Sequence, residues 1–172
     1  MLASEESNRA MSRDWGPELP ANLRARLGGT DLPSVMGRAH LVVTVDSQGR
    51  PHPAMLSYGE ILATGPRELR VATYRGSTTA QNIRANGRLT LCLVDADMAY
   101  YVKGRAEELP PMEAFPRLAR FRVAVDQVLE DFSRAEIEGE ARVSGGITFT
   151  VGAASDRWLE DWERLIGALP RP

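Results

Sequence analysis

The stretch from His40 to Leu109 sets the tightest limit on the fold, because it is a succession of short β-rich runs with little chain between them. "HLVVTVDSQGRPHPAMLSYGEI" holds two such runs around the polar turn "DSQG", the pattern of a hairpin. Pro51 and Pro53 place the start of its second strand at an edge or a bend, since proline donates nothing to a ladder. "ELRVATY", "RLTLCLVD" and "AYYVKGRAEEL" predict three more strands, with a bulge or close backbone approach at Gly104. "ITFTV" alternates Ile147, Phe149 and Val151 with threonines and predicts a sixth. Only one strand–helix–strand unit is visible, so a doubly wound parallel sheet is disfavoured. The expected fold class is α+β, a six-stranded antiparallel barrel or sheet with peripheral helices.

Helices are expected around this sheet. "PELPANLRARLGG" opens on Pro17 and closes on Gly28 and Gly29, and "DLPSVMGRA" reads as a second short helix. "STTAQNIRANG" ends at Asn86-Gly87, a helix stop. Leu118, Phe121, Val125, Val128 and Phe132 step by three and four, which predicts an amphipathic helix with Pro116 in its first turn. In "SDRWLEDWERLIGAL", Trp158, Trp162, Leu165 and Leu169 share one face, with Ser155 or Asp156 as the cap. Residues 1–16 read as a flexible polar tail, with Met11 as an alternative start, and 17–172 as one domain.

Composition narrows the class of function. A net charge of −2, with arginines mixed among acids, gives no electrostatic case for nucleic acid. No apolar run approaches the ~18 residues of a membrane span, and no signal-peptide pattern opens the chain. Cys92 is the single cysteine and lies in the apolar run "LTLCLV". A reduced, buried, unreactive thiol is expected there, in keeping with cytoplasm. His40 and His52 lie on different strands without ligand-spaced partners, so no metal site is expected.

The chemistry-bearing candidate is "YRGSTTAQNIRANG". Ser77, Thr78 and Thr79 stand at a helix entrance, where free amides and the helix dipole suit a phosphate, and Arg75 lies just before. The same residues fit a purely structural role, because Thr78-x-x-Gln81 is a capping box. Neither GxxxxGK[ST] nor GxGxxG is present. No Ser–His–acid set can be assembled. Tyr58 and His52 are the only candidates for moving a proton. Tyr100 and Tyr101 should face opposite ways, one of them inward.

Taken in order, "LVVTVDSQGRPHPAML", "LRVATYRGSTTAQNIRANGRLTLCLVD" and "YYVKGRAEEL" resemble the FMN-binding split barrel family, the pyridoxamine 5'-phosphate oxidase-like proteins. The resemblance covers roughly residues 18–109. It implies an antiparallel split barrel that forms a homodimer, with FMN sites lined by both subunits. The flavin ring would lie along Ala54, Met55, Leu56 and Ser57, and its phosphate beside Thr73, Ser77, Thr78 and Thr79. The vitamin oxidases carry arginine at the position of Ala54, lysine at Gly59 and Arg-Lys at Thr78-Thr79, and Arg75 is the cation at hand to stand in. They also use a histidine near the C-terminus, and no histidine follows His52. The implied activity is an FMN-dependent oxidoreductase acting on a small molecule other than vitamin B6. The alternatives are a deazaflavin-dependent reductase and a non-catalytic flavin- or haem-binding sensor, store or stress factor.

Overall fold

The computed structural model describes residues 12–152 and 155–171. Its nine described strands are β1 (Ser12–Asp14), β2 (Arg38–Val45), β3 (Pro51–Ser57), β4 (Ile61–Gly65), β5 (Glu68–Tyr74), β6 (Arg88–Asp95), β7 (Met98–Glu108), β8 (Leu118–Asp131) and β9 (Ile147–Thr148). The helices are α1 (Ala21–Arg26), α2 (Thr78–Asn86), α3 (Ala135–Glu138) and α4 (Ser155–Ala168), with 3-10 turns at Leu32–Val35 and Tyr58–Glu60. All pairings are antiparallel, in the order β3-β2-β6-β7-β8-β5-β4, with β1 added to β8 and β9 to β2.

That order forces the sheet to curl. The path has β3 at one end and β4 at the other, yet only the turn Tyr58–Glu60 joins them. Edges of a flat seven-stranded sheet would lie about 29 Å apart at ~4.8 Å per strand. The link reaches no more than roughly 14 Å. The edges therefore approach one another without pairing, and the sheet becomes an antiparallel half-barrel.

The barrel interior is filled by Val42, Leu56, Ile61, Leu69, Leu91 and Phe121, with many others equally buried. The hairpin turn forms as expected, with Asp46 Oδ1 accepting from the amides of Gln48 and Arg50 at 2.9 Å each. Gly104 marks a bulge: the register with β8 shifts there, and a Cβ would meet the Ala124 carbonyl at 2.7 Å. Tyr100 is buried and Tyr101 half-buried, as the alternation requires.

Several expectations are corrected. Residues 118–131 form strand β8 rather than a helix. Ala119, Phe121, Val123 and Val125 alternate inward. The bulge then skips Asp126 and shifts the phase, so that Val128 follows Val125 at a spacing of three. A period of two broken by one bulge thus imitates helical spacing. The count of six strands is too low, because β8, the short edge strand β4 and β1 were not expected. Of "ITFTV", only Ile147–Thr148 pairs as a strand. Of the tail expected over residues 1–16, Ser12–Asp14 forms β1 against Leu129–Asp131, and residues 1–11 lie outside the described residues.

The C-terminal helix is fixed to the sheet in two places. Arg120, buried on β8, donates Nε to the Pro110 carbonyl at 2.9 Å and Nη1 to those of Ala168 and Arg171 at 3.1 and 2.6 Å. A cation here satisfies orphan carbonyls at the helix end and complements its dipole. At the other contact, Trp162 packs on Gly59 so closely that a Cβ there would lie 2.2 Å from the indole Cγ. Trp162, Leu165 and Leu169 are buried as expected, whereas Trp158 keeps 42% of its surface exposed.

Candidate functional site

Two neighbouring features and one interior network carry the polar chemistry. The first feature is the mouth of α2. Ser77, not Thr78, is the cap: its Oγ accepts from the Ala80 amide at 3.1 Å, and the Gln81 side chain reaches the Gly76 carbonyl at 3.3 Å. The expected Thr78–Gln81 capping box does not form: the cap is the single Ser77 hydroxyl, and Ala80 at N3 has no side chain to return a bond. The amides of Thr78 and Thr79 make no hydrogen bond among the described residues. Thr73 Oγ1 lies 3.4 Å from Ser77 Oγ. Thr78 is exposed, whereas Thr79 is buried. The mouth therefore offers two amides, the hydroxyls of Ser77 and Thr78, and a helix dipole, which fit an anion held mainly by hydrogen bonds.

Arg75 is already engaged by other groups. Its Nε and Nη2 donate to the carbonyls of Pro116 and Leu118 at 3.3 and 3.2 Å, and Glu108 lies 3.9 Å away. It ties the loop before β8 to the end of β5. Arg84 likewise is paired with Glu108 at 2.6 Å.

The second feature is a cavity of about 880 Å³ between the end of β3, the loop before β8 and α4, a size suited to a small-molecule ligand. Its lining includes Met55, Leu56, Ser57 and Tyr74 together with Phe115, Phe149, Trp158 and Trp162. The polar groups are Ser57, Glu60, Arg117, Arg157, Asp161 and Arg164. Ser57 and Glu60 form a fixed unit, since the Ser57 amide and hydroxyl both donate to Glu60 Oε2 at 2.7 Å. Burial pushes the Glu60 carboxyl up, and the Ser57 bonds oppose this in part.

Of the nine candidate residues, Met55, Leu56 and Ser57 line the cavity. Thr73, Ser77, Thr78 and Thr79 gather at the helix mouth. Ala54 packs against the core, and Arg75 braces the loop. Tyr74, next to Thr73, stands on the cavity wall between the two groups. The α4 residues were visible in the sequence as an apolar face, but nothing local showed that they would wall a cavity.

The interior network centres on Asp95. Its carboxylate accepts from Arg26 at 2.9 Å, Arg38 at 2.5 Å, the Tyr58 hydroxyl at 2.9 Å and the Ala96 amide at 2.8 Å. Burial by itself would raise this carboxyl, but these bonds and the Arg38 charge outweigh it and bring it down to about 2. Tyr58 is pushed up to about 12 by burial. It is a structural donor within the network, away from the cavity, and His52 also lies off the cavity on edge strand β3. Neither lines the cavity. Burial pushes the Cys92 thiol up, in line with an unreactive side chain. Among the described residues no His, Cys, Asp and Glu group could hold a metal.

His40 is 1% exposed, and neither ring nitrogen makes a hydrogen bond in good geometry. It packs edge-on against Tyr58 with centroids 4.5 Å apart. Burial, only partly offset by the Asp95 charge and the nearby Val94 carbonyl, lowers it to about 4. The folded protein thus keeps His40 neutral where the unfolded chain takes up a proton, so stability falls as pH drops from about 6.5 towards about 4. His40→Phe should flatten that part of the profile, as read by urea midpoints across this range. An unchanged slope would show that another group carries it.

Comparison with known proteins places the chain. Residues 37–148 match the family described as pyridoxamine 5'-phosphate oxidase. The uncharacterized protein YclD of Bacillus subtilis (strain 168) is 31% identical over 140 residues, covering 80% of this chain and 91% of that protein. Among solved structures, a candidate pyridoxamine 5'-phosphate oxidase from Lactobacillus delbrueckii superposes with a TM-score of 0.52 at 17% identity, over 68% of this chain and 95% of that one. HupZ of Group A Streptococcus gives 0.51 at 15% identity, over 74% and 99%. These two structures bear on the fold alone.

Proposed function

Because the chain belongs to the pyridoxamine 5'-phosphate oxidase family, we propose that it is an FMN-dependent oxidoreductase acting on a small molecule. The observation that supports this most is the mouth of α2, where the unbonded amides of Thr78 and Thr79 adjoin the hydroxyls of Ser77 and Thr78. They would hold the cofactor's phosphate through neutral donors and the helix dipole. Backbone groups of Met55, Leu56 and Ser57 would hold the edge of the ring. FMN, when bound, supplies the redox chemistry, and the protein orients it and shapes the pocket.

A homodimer belongs to the same reading. Met55 and Tyr74, both on the cavity wall, are 64% and 67% exposed, and cover by a second copy would withdraw them from water. A cytoplasmic location is consistent with the single, half-buried thiol. No described helix is long and apolar enough to cross a membrane.

The absorption spectrum of the purified protein tests the cofactor. Bound flavin gives a band near ~450 nm, haem gives one near ~400 nm, and a deazaflavin is distinguished by mass after release. Thr78→Ala removes an exposed hydroxyl and should weaken FMN about fivefold, the equivalent of roughly 1 kcal/mol, in a fluorescence titration. Unchanged affinity with a lower Tm would assign the mouth of α2 to helix capping alone.

A further inference from the structure

Burial divides the lining of the cavity. Leu56, Ser57 and Trp162 are buried at its inner end, whereas Tyr74, Arg117 and Arg157 are exposed at its rim. Glu60 belongs to the inner end, because the turn that carries it is fixed there twice. The Ser57 amide and hydroxyl hold its Oε2 at 2.7 Å, and Trp162 closes over Gly59. Cover of Met55 and Tyr74 by a second copy leaves these inner groups in place.

The Glu60 carboxyl is fixed through one oxygen only. Oε2 accepts both Ser57 bonds, whereas Oε1 has no partner among the described residues and is not sealed from the cavity. Among the described residues no arginine pairs with it. Arg164 is occupied, 3.3 Å from Asp161 and over the ring of Phe115, and Arg117 and Arg157 lie out on the rim with Tyr74. On the far side of the turn, His40 faces Tyr58 instead. A carboxylate among apolar walls without a counter-ion is costly, and protonation relieves that cost. Burial accordingly pushes the Glu60 carboxyl up, with only the Ser57 bonds opposing. The proton falls on Oε1, because Oε2 already accepts two donors. A neutral donor at an apolar pocket end suits a ligand's acceptor oxygen.

We infer that Glu60 is the specificity-determining residue of this cavity, donating a hydrogen bond from Oε1 to the carbonyl oxygen of an uncharged ligand. A phosphate or carboxylate would meet an acid here, and an ammonium would need the carboxylate that burial disfavours. That such a ligand is the substrate rests on the flavoprotein reading, whereas its binding does not.

The test titrates the uncharged ketone α-tetralone and its carbonyl-free counterpart tetralin into the full protein, followed by ligand-observed NMR. The ketone should bind about tenfold more tightly than the hydrocarbon while Glu60 is protonated, and this advantage should be lost as pH rises through its ionisation. In Glu60→Gln the amide oxygen still accepts from Ser57 and the amide nitrogen donates at every pH. The advantage should therefore persist there and no longer depend on pH. Glu60→Ala should bind the two probes equally, and retained tetralin binding verifies that its cavity is intact. Equal affinity for the probes in the wild type, absence of binding, an advantage that grows with pH, or its loss in Glu60→Gln would overturn the inference. A purified protein without a flavin band would sink the cofactor reading alone, because neither the probes nor the Glu60 variants depend on FMN.

Discussion

Asp95→Ala is expected to cost about 3 kcal/mol of unfolding free energy, the low end of what breaking a buried ion pair costs. Asp95 is buried, and one carboxylate holds α1 through Arg26, β2 through Arg38 and the turn between the sheet edges through Tyr58. Removing it leaves a buried hydroxyl and two guanidiniums without their acceptor. Both arginines are about one-third exposed and can recover water, which keeps the loss from being larger. The same group sets part of the acid limit. Its folded value of about 2 lies below the ordinary 3.8, so its contribution is present above about pH 4 and lost as pH falls towards about 2. Urea unfolding at pH 7 and pH 3 checks both points: the gap between wild type and variant should be wider at pH 7. A gap below about 0.5 kcal/mol at pH 7 would show the network to be incidental.

Gly59→Ala should be nearly as damaging, by about 2–3 kcal/mol, for a steric reason. The backbone there accepts any residue, but the new methyl would stand 2.2 Å from Cγ and 2.5 Å from Cδ1 of Trp162. Trp162 is buried and packed against the turn, so α4 must shift off the sheet. The expected signs are a Tm lower by roughly 5–10 °C, given ~2–4 °C per kcal/mol at this size, and a red shift of tryptophan emission. Trp162→Ala in the Gly59→Ala background should recover part of the double loss, because the clash disappears with the ring. Strict additivity of the two would refute the packing account.

The barrel strands β2, β3, β5, β6 and β7 were legible because each carries its own alternation or turn residues: Asp46 and Gly49 in the hairpin, Gly87 closing α2, Gly104 at the bulge. β8 was not, since the bulge at Asp126 changes the phase of its inward residues, and a local pattern cannot reveal where a partner strand slips. The helix mouth was legible as a hydroxyl cluster, though its cap is Ser77 and Thr79 is buried. The bracing bonds of Arg75 were not legible, because their acceptors, the carbonyls of Pro116 and Leu118, are about forty residues away.

The sequence by itself determined the antiparallel α+β class, the hairpin, the position of α2 and the family, because these rest on periodicity and turn chemistry over short spans. Only the tertiary structure decided that β3 and β4 are opposite edges brought together by Tyr58–Glu60, that Asp95 gathers three elements, and that Trp162 fills the space beside Gly59 to build a cavity wall. Such contacts depend on which distant segments meet, and the free energy that selects among them lies in packing and desolvation rather than in any local preference.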